Sequence, residues 1–287
     1  MRAQAVLYKE GILSGQNLLK LKLQTVFLFL SLLFTLPLTA KAQLPFYTDD
    51  ADTTDQGKFH FEFFDEHDVL QKTLYPGKRQ NNANFTFNYG ITKRIEFDVN
   101  APLLTIINAR TSLLGNPTGI GDTQFGIKYR FYDERDNSRL PSMAIVFYVE
   151  APTGNTTKQL GSGVTDYWLY GVAQKSLTKK TKGRLNAGIL FAGNSSTGLV
   201  GIRTTTGLVF TGNGSITKDI NSKLRLGVEL FGAVTSNFQL SKGQLEAQFG
   251  GNYALSKQFS LAFGLLAGRF PASPRAGVLL GFAYDFK

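Results

Sequence analysis

His60 and His67 are the only histidines in the chain, and there is no cysteine to accompany them. Seven residues apart, they fall on opposite faces of an extended strand, so they cannot ligate one metal together. A lipase-like reaction on a barrel wall would need a histidine beside a serine nucleophile. Ser142 and Ser162 have no such partner in the pattern. Gly161-Ser162-Gly163 and Gly212-Asn213-Gly214 are glycine-rich, but no helical periodicity follows either, so neither reads as a phosphate cradle. Asp49, Asp50, Asp52 and Asp55 crowd one short stretch. That stretch lacks the loop glycine and closing glutamate of an EF-hand, and it reads as a solvated acidic segment. No catalytic group, metal site or cofactor is expected.

A second set of polar residues is spaced differently. His60 and Glu62, Glu96 and Asp98, Asp122, Lys128 and Arg130, Arg225 and Glu229, and Glu246 stand at alternate positions with apolar neighbours between them. On extended chain this puts them on one face, lining a watery interior. Mixed signs imply a pore, or a lumen plugged and held by ion pairs, without strong anion or cation preference.

The elements that position these residues are strands. Ala83, Phe85, Phe87 and Tyr89 alternate with Asn84, Thr86 and Asn88. Phe97 and Val99 alternate with Glu96, Asp98 and Asn100; Ile127 and Tyr129 with Lys128 and Arg130. Leu245, Ala247 and Phe249 alternate with Glu246 and Gln248. This period of two is the signature of half-buried β-strands. Glu96, Asp98, Lys128 and Arg130 are expected to face inward from the adjoining third and fourth strands. Phe97, Val99, Ile127 and Tyr129 then face lipid.

An aliphatic–hydroxyl–lysine pattern recurs at 91–93, 177–179, 216–218 and 255–257, and a polar cluster sits at 133–139, which gives five short turns about 40 residues apart. Longer Gly-, Pro-, Asn- and Ser-rich stretches lie between them at 67–80, 102–119, 151–163, 193–203, 235–243 and 269–275. Five turns and six loops join twelve strands. Short turns at one end and long loops at the other describe an all-β, transmembrane, antiparallel up-and-down barrel with its turns in the periplasm. The last strand, Ala276 to Phe286, alternates throughout and ends on an aromatic before Lys287. It looks like the C-terminal signal read by the barrel-assembly machinery.

A soluble sandwich also alternates. Aromatics near strand ends, such as Phe59, Tyr89, Phe131, Tyr253, Phe282 and Phe286, suit interfacial girdles instead. Residues 1–42 read as a secretory signal, with basic residues, an apolar run from Val26 to Leu36, and Ala40-Lys41-Ala42 as cleavage site. The apolar run is too short to span a bilayer. Residues 43–56 are expected as a periplasmic N-terminal segment and 57–287 as the barrel. The formal charge of +10 falls to +6 without the signal, and nucleic acid is not expected as a partner.

The chain resembles the meta-pathway of phenol degradation family, a group of outer-membrane proteins often described as transporters. The resemblance rests on TDDADTTDQGKFHFEF at 48–63, GIGDTQFGIKYRF at 119–131, EAPTG at 150–154 and KQLGSG at 158–163. It implies the outer membrane as location, membrane lipid as surroundings and small, aromatic or hydrophobic molecules as solutes. The function expected is a passive channel. The alternative is a non-transporting barrel with a structural or surface-interaction role.

Overall fold

The computed structural model describes residues 44–113, 115–136, 139–192, 207–235 and 243–286. The signal-peptide reading of 1–42 lies outside these. The strands are β1 (Phe59–Val69), β2 (Gly77–Gly90), β3 (Ile95–Asn108), the stub β4 (Thr118–Ile120), β5 (Thr123–Tyr132), β6 (Ser142–Ala151) and β7 (Asp166–Thr178). They continue with β8 (Thr181–Ala192), β9 (Gly207–Asp219), β10 (Leu224–Thr235), β11 (Gln244–Ala254), β12 (Phe259–Gly268) and β13 (Ala276–Asp285). Chain order is order around the wall. β3 pairs with β5 past the stub, and β1 closes on β13. Twelve long antiparallel strands form a closed barrel. Closure leaves no strand edge, which is what a hydrocarbon surround demands of the backbone.

The alternation sets the facing. Glu96 pairs in register with Lys128, and Phe97 with Ile127. Glu96, Asp98 and Lys128 are 3%, 0% and 4% exposed, whereas Phe97, Ile127 and Tyr129 are 36%, 48% and 44% exposed. Apolar side chains therefore form the outer surface and polar ones the interior, the inverse of a water-soluble fold. Around the closing seam, aromatic rings pack across neighbouring strands on the outer face. The pairs Phe59–Tyr89 and Phe61–Phe87 both have centroids 4.7 Å apart, and Phe63–Phe85 5.1 Å. Such cross-strand pairs help to fix the register of the first hairpin.

Three of the short turns share one construction. Ile91, Ile220 and Leu255 donate their backbone N–H to the carbonyls of Ile95, Leu224 and Phe259. The next side chain, from Thr92, Asn221 or Ser256, accepts from two backbone N–H groups ahead of it. The turn expected at 216–218 is displaced: Ile216, Thr217 and Lys218 lie within β9, and the chain turns at 220–223. An asparagine carbonyl caps the turn as well as a hydroxyl does, so the motif runs through Asn221. Strands also reach further toward the long loops than expected. The first loop shrinks to 70–76, and β3 continues to Asn108.

Residues 44–55 overturn one expectation. Read from sequence as a periplasmic segment, they cross the inside of the barrel as an extended strap. Leu44, Phe46, Thr48, Asp49, Ala51 and Thr53 are all buried. The strap leaves the barrel at Gln56, which bridges Gly90 at the turn end. A Cβ on Gly90 would collide with the carbonyls of Thr54 and Asp55, so glycine is needed where strap and wall meet. The physical reason for the strap's position is pairing: its carboxylates and backbone groups meet the charged and amide side chains of the interior.

Candidate functional site

The strap is tied to nearly every side of the lumen. Asn252 Nδ2 donates to the Leu44 carbonyl at 3.1 Å, and Gln248 Nε2 to that of Pro45 at 2.7 Å. The Glu229 carboxylate accepts from the N–H of Tyr47 at 2.9 Å and from both the N–H and hydroxyl of Thr48. The Tyr47 hydroxyl donates to Glu66. Asn186 Nδ2 donates to the Asp49 carbonyl at 3.3 Å, and Tyr170 donates its hydroxyl to Asp49 at 3.1 Å. These contacts draw on β1, β7, β8, β10 and β11.

Ion pairs complete the attachment, the longest of them from Lys182 Nζ to Asp52 at 3.9 Å. Lys128 Nζ lies 2.8 Å from Asp49 and 3.2 Å from Glu96. Arg184 meets Asp50 at 3.3 Å, and Arg130 meets Asp52 at 3.5 Å. Lys128 and Arg184 are almost wholly out of solvent. A buried charge is costly unless paired and hydrogen-bonded, so each basic side chain of the wall makes a carboxylate on the strap favourable.

The other residues singled out in the sequence fall as follows. His60 sits between Asp285, at 2.5 Å, and Glu62, at 3.1 Å, near the turn end of β1. His67 contacts Asn81 at 3.2 Å, and the alternation of β1 puts it on the opposite face. Asp98 accepts from Asn88 and from the Tyr148 hydroxyl. Glu246 accepts from Gln244 at 2.6 Å. Arg225 pairs with Asp219 at 2.7 Å beside a turn, and it does not line the cavity described below.

Asp122 does something different from the rest. It is 2% exposed and accepts from the backbone N–H of Gly154 at 2.8 Å and of Ser162 at 2.6 Å. The Thr153 hydroxyl donates to the Gly121 carbonyl at 2.7 Å. Leu160, 1% exposed, packs with Leu104 and Ile106. A Cβ on Gly161 would run into the Asp122 carboxylate and the Gly154 Cα. The three segments 119–122, 150–154 and 158–163 thus meet in one clasp that folds the β6–β7 loop onto β3 at the long-loop end. Isolated in sequence, they are one object in space.

Beside the strap a cavity of about 700 Å³ remains. That is within the range typical of small-molecule sites. Its β2 side is a ladder of uncharged amides and a hydroxyl: Gln80, Asn82, Asn84, Thr86 and Asn88. The opposite side is aromatic, with Tyr148, Trp168, Tyr170 and Phe231. Trp168 packs against Leu190, Val209 and Ala233, apolar residues that face inward. Sequence reading missed the strap, Arg184, Glu66 and this aromatic wall. The signal available was the inward parity of Trp168, Tyr170 and Arg184 on β7 and β8.

With the geometry in place, comparison with known proteins gives a family. A model described as Putative MetA-pathway of phenol degradation matches residues 42–286. The chain belongs to this family. Members of the family therefore include a strapped twelve-stranded barrel of the kind described here. Among solved structures, the COG4313 outer membrane channel from Pseudomonas putida F1 is similar, with 14% identity and a TM-score of 0.60 over 83% of this chain and 98% of that one. The NanC porin gives 10% identity and a TM-score of 0.55 over 79% and 100%. The KdgM porin gives 13% and 0.50 over 79% and 99%. At these identities the likeness is one of fold. No curated protein sequence matches the chain.

Proposed function

We propose that this family member is an outer-membrane channel through which small molecules diffuse passively, with the strap as its constriction. The observation that carries this is the cavity of about 700 Å³ beside the strap, inside a barrel whose outer surface is apolar. A barrel serving only as a scaffold gains nothing from a lined internal space. The amide ladder on β2 suits hydrogen-bonding groups, and the aromatic wall suits apolar or aromatic bodies, so the solutes that fit are small and amphipathic. The short turns face the periplasm, as is usual for such barrels. The C-terminal strand β13, apolar and aromatic along its outer face, supplies the surface the assembly machinery reads.

Fractionation should place the mature protein in the outer membrane with heat-modifiable gel mobility. Liposome swelling with phenolic, amino-aromatic and sugar solutes then tests permeation. An assembled barrel that passes none of them and shows no conductance in planar bilayers would sink the channel reading in favour of a structural role.

A further inference from the structure

The sequence suggests a lumen of mixed charge without strong ion preference, and the cavity itself is predominantly acidic. Twelve carboxyl side chains line it against three lysines and His60. Three of the four are already engaged, and Lys257, in the turn after β11, stands apart from Glu66, Asp68 and Glu246 with no salt bridge among the described residues. Lys128 is enclosed by Asp49 and Glu96, His60 lies between Glu62 and Asp285, and Lys58 pairs with Asp55. Arg130 and Arg184, held by the strap's aspartates, do not line the cavity. The strap therefore uses up the positive side of the interior, and acid is what remains.

That acid is concentrated on one side. Glu66 and Asp68 sit side by side on the inner face of β1, and Glu246 of β11 lies close enough to interact with both. Among the described residues none of these three makes a salt bridge within 4.0 Å. Asp68 is 1% exposed, and its Oδ1, lying over Gly277, has no hydrogen-bond partner. Carboxylates this close repel unless a cation or a proton lies among them. Next to them the Tyr47 ring packs edge-on against Phe64 at 6.0 Å and tilted against Phe231 at 5.1 Å. Aromatic faces attract cations, most strongly where water is excluded.

We infer that the cavity is a site for a small organic cation, an ammonium group on an apolar or aromatic body. The ammonium lies at Glu66, Asp68 and Glu246, and the body lies along Tyr47, Phe231 and Trp168. As the solute of the channel, this cation rests on the reading in the previous section; as a binding site it stands alone. Carboxylates satisfy the three N–H donors of an ammonium, and an anion of the same shape meets like charge there.

The test uses the purified mature barrel in detergent. Phenethylamine and 3-phenylpropionate, matched in size and opposite in charge, are titrated by calorimetry, with emission from Trp168, the single tryptophan, as a second readout. Phenethylamine should bind at least about tenfold more tightly. A Glu66→Gln/Asp68→Asn double variant, checked for heat-modifiable mobility, should lose most of that preference. Equal binding of the two probes by the wild type, or no binding of either, overturns the inference without recourse to any variant. An assembled double variant that keeps the full preference overturns it too. Reversal potentials in a KCl gradient separate the two proposals. Conductance without cation preference overturns the cation inference and leaves the channel. Amine-selective binding without conductance supports the site and overturns the channel.

Discussion

Lys128→Met is the sharpest perturbation of the strap. Lys128 is 4% exposed, and its ammonium lies 2.8 Å from Asp49 on the strap and 3.2 Å from Glu96 on the wall. It also donates to the strap carbonyl of Asp52 at 3.3 Å. Methionine keeps much of the volume and removes the charge and all three contacts. Breaking a buried pair by deleting one partner costs about 3–5 kcal/mol, because the remaining charge stays buried without compensation. At about 1.4 kcal/mol per decade, the preference for the attached strap should fall by roughly 10²–10³-fold. Arg184 and Glu229 still hold the strap, so the expected result is frequent detachment rather than permanent loss.

In planar bilayers the variant should show raised mean conductance with large, frequent transitions, while the wild type stays low and quiet. Combining Lys128→Met with Asp49→Asn should cost less than the two single changes added together, since both act on one contact. A Lys128→Met barrel with normal heat-modifiable mobility and wild-type conductance would refute the reasoning. It would mean either that the strap does not limit the pore or that Lys128 does not hold it.

Leu230→Arg, at mid-strand on the outer face and 56% exposed, should cost about 2–4 kcal/mol if it meets the bilayer midplane. Phe59→Arg, at the turn end, should cost about 0–1 kcal/mol; equal yields of folded barrel from the two variants in a refolding assay would contradict the assigned depth. Asp122→Ala removes two charge-assisted hydrogen bonds, each about 1.5–3 kcal/mol, and should expose the loop around Lys158 to trypsin under conditions where the wild type resists. Glu134, in the β5–β6 turn, experiences some desolvation that raises its pKa. The hydrogen bonds from Lys175 and Ser176 outweigh it, so the carboxyl is held below its ordinary value. A lowered carboxylate pKa stabilises above the unfolded value and is lost as pH falls through the folded one. Amide exchange at Ser176 should therefore speed up on acidification below the ordinary carboxylate range, beyond the intrinsic rate change, and Glu134→Gln should abolish that dependence.

The barrel was legible because its physics is local. A strand with lipid on one side and water on the other must alternate, as Phe97, Val99, Ile127 and Tyr129 do against Glu96, Asp98, Lys128 and Arg130. Turn position was less legible, because three residue types can cap one turn and the pattern at 216–218 imitated the real one at 220–223. The clasp was visible only as separate motifs. Nothing in the spacing of Asp122, Gly154 and Ser162 says that a carboxylate in one segment receives backbone N–H groups from another.

The strap was the hardest feature to read, and the reason is electrostatic. Asp49, Asp50 and Asp52 in isolation are indistinguishable from a solvated acidic tail, because a carboxylate in water needs no partner. Their role becomes visible only from the other side, in Lys128 and Arg184, which lie buried on wall strands where water cannot stabilise them. A lone buried cation costs more than most single contacts contribute, so its presence implies a counter-charge nearby. Lys128 has a wall partner in Glu96. Among the described residues Arg184 donates on the wall to Gln174 alone, and its ion pair comes from Asp50 on the strap. The register partners of Arg184 are Gln174 on β7 and Ser215 on β9, neither of them a carboxylate, and the counter-charge comes from the acids at 49–55. The same accounting exposes the reverse excess. Once the strap has met the arginines and Lys128, the side chains of Glu66, Asp68 and Glu246 have no cation partner among the described residues, and that surplus is what a charged solute would meet.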